Sequence, residues 1–421
     1  MKIAVISLGC PKNLTDTEAM LGKFASAGHV ITNSIRGADL LVINTCAFIK
    51  PAINEALREI RKAVSLKKKG IIKQVAVAGC LPARMKFDRS IPVECLEGVD
   101  AVIDSLGLFD WKAPRIKATP GHYSYIKIAD GCDNRCSYCT VPLIRGPYRS
   151  RRMKDILTEA EALARTGTRE LILVAQDTTY YGSDIYGKPS LAKLLRKLCR
   201  IKRLKWIRLM YAHPAHVTDE LIRTMAEEER IVKYIDLPLQ HSCDKMLRLM
   251  KRRTSGEKIA SIIRKIRRSM PDAALRSTFI VGFPGESERE YRKLLGFIKK
   301  ERFDRLGIFT YFAESGTPAA KMRGQVPEGT KKSRYHRAML LQNRISAERN
   351  RKEVGKVIDV IIDRVNGRNL KGRSGADAPE IDGSVSIKLP AGSKIKVFPG
   401  EVVKARITKS SAYDLFGKLV T

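Results

Sequence analysis

The sequence predicts an α/β fold in three parts. An open parallel α/β domain is expected over 1–115, a partial (β/α)6 barrel over 116–352 and a small antiparallel β-barrel over 353–421. Three observations predict it. KIAVISLGC (2–10), DLLVINTC (39–46) and KQVAVAGC (73–80) are near-continuous apolar runs, rich in β-branched residues, as strands buried on both faces require. Six further strand-like runs then recur, each followed by a helix-like or loop segment: YSYIKIAD, ELILVAQD, WIRLMYA, VKYIDLPLQ, RSTFIVGF and RLGIFTYF. That alternation implies parallel strands. Near the end, KVIDVIID, SVSIKL, KIKVF and EVVKARI read as the short strands of a small barrel.

The first three runs each end in a cysteine. The helix-like segments between them, TDTEAMLGKFASAG and NEALREIRKAVSLKKKG, both finish at a glycine, and Thr15–Glu18 reads as a capping box. Parallel strands bring their ends to one edge of a sheet, where open α/β folds bind ligands. Cys10, Cys46 and Cys80 are therefore expected to meet there. Three thiolates leave one metal position open, and their softness suits zinc or an iron–sulfur cluster.

Composition narrows the chemistry. At 421 residues, with 44% hydrophobic and 29% charged residues, the chain reads as soluble and globular with room for several cores. It holds no apolar run of about 18 residues, so no membrane span is expected. VISLGC resembles a lipoprotein cleavage site, but IAVISL is short for a signal core and strand-like. A cytoplasmic location is expected, and nine cysteines there argue for metal or redox chemistry rather than disulfides. The net charge is +35, and residues 116–352 hold 50 basic against 25 acidic side chains. The stretches 193–208 and 245–268 look like helices with one apolar stripe and basic residues elsewhere, a surface suited to a polyanion such as RNA.

The more specific cysteine signal lies in DGCDNRCSYCTVPLIRGPYRSR (130–151). Cys132, Cys136 and Cys139 have C-x3-C-x2-C spacing, and no nearby histidine offers the fourth ligand that a closed zinc site wants. With Tyr138 before the last cysteine, this resembles the radical S-adenosylmethionine superfamily. The resemblance implies a 4Fe–4S cluster whose open iron chelates S-adenosylmethionine and cleaves it to a 5′-deoxyadenosyl radical. Active residues of a βα barrel belong at the C-terminal strand ends. That places Cys132, Gln176, Asp177, His213, Gln240, His241, Gly282 to Glu286 and Glu314 around one mouth. Glycine-rich GFPGE follows a strand and lets backbone approach a ligand closely. The resemblance places Gly282, Phe283, Pro284 and Gly285 beside the cofactor, together with Tyr138.

Both cysteine triads together resemble the methylthiotransferase family over nearly the whole chain. SLGCPKNLTDTE, LVINTCAF and VAGCLPAR carry Cys10, Cys46 and Cys80 in that likeness. The family implies an auxiliary 4Fe–4S cluster on these three, a radical core, and a C-terminal TRAM barrel, hence two 4Fe–4S clusters. GCPKN and GRSGADAPEIDG (372–383) resemble the branch that modifies an aspartate of small-subunit ribosomal protein number twelve. The likeness then implies that one S-adenosylmethionine methylates a cluster-held sulfur. A second generates the radical that takes the aspartate β-hydrogen before the methylthio group is transferred. Asp377, Glu380 and Asp382 read as an acidic patch for a basic polypeptide loop, and the basic helices as contacts to ribosomal RNA. The sequence names no reductant partner. A transfer-RNA adenosine-37 methylthiotransferase and an RNA-binding assembly factor with structural clusters are the rival readings. His213 receives no catalytic role, Cys199 reads as core, and Cys95 and Cys243 as thiols without a ligand role.

Overall fold

The computed structural model describes residues 1–103, 114–390, 393 and 395–420. The first layer runs β1 (Lys2–Ser7), α1 (Pro11–Ser26), β2 (Val30–Ile31), β3 (Leu40–Thr45), α2 (Lys50–Lys68), β4 (Gln74–Gly79), α3 (Cys80–Met85) and β5 (Ala101–Val102). Its sheet is parallel throughout, in the order β2-β1-β3-β4-β5. That doubly wound order has its switch point between β1 and β3, where chain connections leave in opposite directions and open a crevice. The expected Thr15–Glu18 capping box does not form. The helix cap lies five residues earlier, at Cys10, with Pro11 at the first helical position, so Thr15 and Glu18 lie inside α1 and are buried. Gly28 and Gly70 follow the ends of α1 and α2 as expected.

The middle part runs β6 (Tyr123–Lys127), β7 (Ala129–Asp130), α4 (Val141–Arg145), β8 (Arg149–Ser150), α5 (Met153–Arg165), β9 (Glu170–Val174), α6 (Leu191–Leu198) and β10 (Trp206–Leu209). It continues through α7 (Asp219–Glu227), β11 (Ile231–Gln240), α8 (Asp244–Leu249), α9 (Gly256–Ser269), β12 (Ala274–Val281), α10 (Glu288–Glu301), β13 (Arg305–Thr310) and α11 (Glu328–Arg351). All six expected runs supply a strand to one parallel sheet, ordered β13-β12-β11-β10-β9-β6 and left open. The capping box that does form is Ser287 with Glu290, at the start of α10.

The two basic stretches are not continuous helices. Residues 193–208 span α6, a turn and β10, because the branched and aromatic run from Trp206 joins the sheet. Residues 245–268 break between α8 and α9, where Lys251 (φ 55°) and Arg253 (φ 51°) are left-handed and Ser255 caps the second helix.

The last part comprises β14 (Val357–Asn366), β15 (Asn369–Ser374), β16 (Val385–Lys388), β17 (Val402–Ser410) and β18 (Leu415–Leu419). They close a barrel in the order β14-β15-β16-β18-β17, antiparallel except for the parallel β16–β18 pair. The expected strand KIKVF is not seen: residues 395–398 form none, and residue 394 lies outside the described residues.

The acidic insert corrects the reading of Asp377, Glu380 and Asp382 as a patch for a polypeptide. Asp377 and Asp382 face inward, against the starts of the parallel strands. Arg305 donates to Asp377 at 2.9 Å, Tyr234 Oη donates to Asp382 at 2.7 Å, and Arg276 lies 3.4 Å from Asp382. Glu380 is exposed but accepts from Tyr123 Oη at 2.9 Å. Arg208 donates to the Gly375 carbonyl at 2.9 Å and to Glu170 at 2.7 Å, and Arg373 pairs with Glu170 at 2.7 Å. The insert thus plugs the floor of the partial barrel, and its carboxylates neutralise arginines that line the lumen. A buried ion pair broken on one side leaves an uncompensated charge. Asp377→Ala is therefore expected to cost about 3 kcal/mol. Glu380→Ala, at an exposed site, should cost under about 1 kcal/mol. Chemical denaturation midpoints of the two variants check this ordering.

Candidate active site

Cys46 and Cys80 stand directly after β3 and β4, and Cys10 three residues after β1, on neighbouring strands at the switch-point edge. The sequence enforces their closeness locally. Gly9 (φ 92°) and Gly79 (φ 90°) precede two of them. A Cβ on Gly9 would lie 2.5 Å from Cys46 Cβ, and one on Gly79 would lie 2.3 Å from Asn44 Oδ1. Only glycine fits these left-handed positions. Asn13 donates to the Leu8 carbonyl at 2.6 Å and the Thr45 carbonyl at 3.2 Å, which ties the Cys10 and Cys46 turns together. Thr45 Oγ1 donates to the Ala78 carbonyl at 2.6 Å and accepts from Leu81 N–H at 3.1 Å, which ties in Cys80.

The second triad sits on the loop between β7 and α4. Asn134 donates to Cys132 Sγ at 3.4 Å and to Asp177 at 2.8 Å, and Arg252 donates to Cys136 Sγ at 3.5 Å. Ser137 fixes the loop to the end of α8 through Leu249 and Met250. Arg252 is aimed back at this loop by its left-handed neighbours Lys251 and Arg253. Tyr138 meets Phe283 edge-on at 6.4 Å, and Phe283 meets Tyr311 at 5.1 Å, so GFPGE packs against the cysteine loop. The GFPGE turn is held by buried Glu286, which accepts from Gly282 N–H and from Arg334 at 2.7 Å and lies 3.3 Å from His241.

The two triads share one seam. Arg145, six residues after Cys139, donates to Asp16 at 2.7 Å, to Asn13 Oδ1 at 3.0 Å and to Cys80 Sγ at 3.3 Å. Lys127 pairs with the same Asp16. Thr140 donates to the Phe48 carbonyl at 3.1 Å. Glu314 accepts from Lys50 N–H at 2.8 Å and from buried Arg84 at 2.7 Å, so it serves the seam.

The donor set fits anionic, metal-bound sulfur. Burial pushes the Cys46 thiol up to about 12, with Cys80 and Cys10 adding to it, and Cys132 up to about 11. Burial and the nearby Cys136 raise Cys139 as well. Such thiols ionise when a metal displaces the proton. N–H donors already point at Cys80, Cys132 and Cys136, and Arg252 Nε and His213 Nε2 are buried without partners near the second triad. Among the described residues, a tight group of single-ion type is Asp177, His213 and His216, with ligand atoms within 4.8 Å of one another. His213 Nδ1, His216 Nδ1 and Asp177 Oδ2 are engaged within the group or its loop, whereas His213 Nε2 is not. His216 lies 2.7 Å from Asp177 Oδ2, and His213 Nδ1 accepts from Ala215 N–H at 3.2 Å. The group therefore reads as a buttress for Asn134.

Known proteins bear on this geometry. Residues 126–298 match the radical SAM superfamily, residues 2–98 the uncharacterized protein family UPF0004, and residues 354–420 the TRAM domain. The ribosomal protein uS12 methylthiotransferase RimO of Pelotomaculum thermopropionicum is 45% identical, over 100% of this chain and 99% of the relative. Those of Desulforamulus reducens (44%, 99% of each) and Elusimicrobium minutum (44%, 100% of each) are similar. The chain belongs to the RimO family of radical SAM methylthiotransferases. As such an enzyme it uses an iron–sulfur cluster and S-adenosylmethionine. Among solved structures, the radical S-adenosylmethionine methyltransferase TsrM from Kitasatospora setae, with cobalamin and a [4Fe-4S] cluster bound, aligns over 76% of both chains. Its TM-score of 0.52 at 14% identity shows a shared fold.

Several residues of this RimO-family site carry no signature of their own in the sequence. Asn13, Asn134, Arg145 and Arg252 act through partners distant in the chain. Arg145 had one available signal, its place just after the second triad. Of the other thiols, Cys199 is buried in the central core, Cys243 is buried in the cluster of Phe283 and Tyr311 against which Tyr138 packs, and Cys95 is half-buried against the first layer's core. Burial alone would raise Cys10, but Lys12, the Asn13 N–H and Arg145 outweigh it and bring its thiol below the ordinary value. Cys10 and Cys46 are both half-buried. In iron-free protein near pH 8, Cys10 should therefore alkylate faster than Cys46, as timed by peptide mass spectrometry.

Proposed function

We propose that this RimO-family chain methylthiolates the β-carbon of an aspartate in ribosomal protein uS12, in two S-adenosylmethionine-dependent steps. The observation that carries the reading is the full-length likeness to relatives of that name, at 45% and 44% identity. The seam between two cysteine triads supports it. On this reading Cys132, Cys136 and Cys139 hold one 4Fe–4S cluster, and Cys10, Cys46 and Cys80 hold an auxiliary one. When bound, these clusters and S-adenosylmethionine supply the methyl transfer and the 5′-deoxyadenosyl-radical chemistry that an unactivated C–H bond demands.

The chain's own part is position and enclosure. Asn134, Arg252 and Arg145 present N–H donors to ligand sulfurs, which favours the thiolate form. We assign Tyr138, Gly282, Phe283, Pro284 and Gly285 to the S-adenosylmethionine side, because Phe283 joins the GFPGE turn to the cysteine loop. Arg84 and Arg145 hold the two layers closed over the seam. We divide the chain into 1–115 for the auxiliary cluster, 116–352 for the radical core and 353–421 for the TRAM barrel. The matched segments support that division.

We infer a working place on the assembled or assembling small subunit in the cytoplasm. Exposed Lys193, Arg200, Lys202 and Arg203 near α6, and Arg264, Lys265 and Arg268 on α9, support contact with ribosomal RNA. No helix among the described residues is long and apolar enough to cross a membrane.

Mass spectrometry of uS12 from a deletion strain and its complemented parent tests the reading. A methylthio increment on one aspartate peptide, present only with the gene, is expected. Its absence there, with a methylthio mark on transfer RNA instead, would favour the rival substrate. Cys10→Ala should abolish methylthiolation yet keep reductive cleavage of S-adenosylmethionine, read as 5′-deoxyadenosine by chromatography.

A further inference from the structure

Lys12, the second residue of α1, is 8% exposed and lies two positions from Cys10. Its ammonium reaches across the seam to stand 3.4 Å from the centroid of the Tyr211 ring. Tyr211 follows β10 at the barrel mouth, and its left-handed backbone (φ 60°) is held by donation of its N–H to Asp236 at 3.0 Å.

Buried Arg252 donates to Cys136 Sγ and the Pro238 carbonyl, and the other buried cations that tie the two layers together have acids. Arg145 and Lys127 share Asp16, and Asp130 lies 3.5 and 3.6 Å from them. Arg84 has Asp88 and Glu314, and Arg115 has Glu18 and Glu159. Asp236, the acid on the neighbouring strand, is engaged by the Tyr211 N–H and by Arg276 at 3.0 Å. Among the described residues no carboxylate pairs with Lys12. The Tyr211 side chain, the Cys10 sulfur and, without direct pairing, Asp236 favour the Lys12 ammonium. An aromatic face offsets part of its loss of water, and a position for a directly paired carboxylate is left over.

We propose that Lys12 is the specificity residue that receives the side-chain carboxylate of the substrate aspartate, an inference that rests on the proposed protein substrate. The chemistry suits the position. The β-carbon is one bond from that carboxylate. An ion pair to Lys12 therefore fixes the reacting carbon beside the Cys10 side of the seam and within the barrel mouth. An asparagine at the same place offers a neutral amide and forfeits the ion pair. Lys12 acts by binding and orienting, and moves no proton.

The test uses iron–sulfur-reconstituted enzyme as wild type, Lys12→Gln and Lys12→Arg. Each is titrated by fluorescence anisotropy with uS12 and with uS12 carrying Asp→Asn at the modified position, in the presence of S-adenosylmethionine. Wild type should prefer the aspartate form by about tenfold or more. Lys12→Arg, which keeps the charge, should retain most of that preference whatever the glutamine variant does to the metal content. Lys12→Gln should bind the two forms alike. A wild type without preference, or a Lys12→Gln that keeps the wild-type ratio, overturns the proposal. So does a Lys12→Gln whose only change is in the cluster spectrum, since Lys12 would then serve the cluster alone. If wild type binds neither form of uS12 and instead modifies RNA, the underlying substrate reading fails and this inference falls with it.

Discussion

Arg145 on Asp16 is the interaction on which the rest of the site depends. Arg145 belongs to the short helix that follows Cys139, and Asp16 to the helix that follows Cys10. Both side chains are almost fully buried, with Lys127 and Asp130 completing the group. Isolated, each charge would be costly to bury, so the four are stable only together and only with the two layers docked. The same guanidinium reaches Asn13 and Cys80. One residue therefore sets where the second triad's loop lies relative to the first.

Around that pair the seam uses few long-range contacts, each tied to a strand end. Glu314, just past β13, is clamped by Arg84 and the Lys50 N–H. Thr140 reaches Phe48. The barrel floor is closed in the same way from the opposite end, with Arg305, Arg276 and Arg208 of the lumen met by Asp377, Asp382 and the Gly375 carbonyl. The C-terminal barrel thus completes the core from below, while the N-terminal layer covers it from above. The two closures bury Arg145, Asp16, Arg84 and Glu314 on one side of the barrel and Asp377 and Arg305 on the other.

Much of this was legible because strand and cysteine recur together. Apolar runs ending in a thiol at 10, 46 and 80 predict parallel strands whose ends converge, and sheet topology leaves little alternative. The six barrel strands were legible for the same reason. The inward role of the acidic insert is not legible, because its partners Arg305, Arg276 and Tyr234 lie between 72 and 148 residues earlier and look like ordinary strand residues. Thr15–Glu18 misled because Pro11 is an equally good helix start, and the burial of α1 against the core decides between them. Charge and apolar spacing reveal neither the left-handed residues at 251 and 253 that break the second basic stretch nor the strand that ends the first. Lys12 was visible as a letter in GCPKN, but its lack of an acid is a property of the packed seam.

The central claim is that both triads open on one shared seam. Pulsed electron paramagnetic resonance on the fully loaded, reduced enzyme tests it most directly. The account predicts magnetic coupling between two paramagnetic clusters, which disappears when Cys10, Cys46 and Cys80 are replaced by alanine. Two uncoupled signals in the wild type, or a single cluster signal unchanged by that triple replacement, would contradict it.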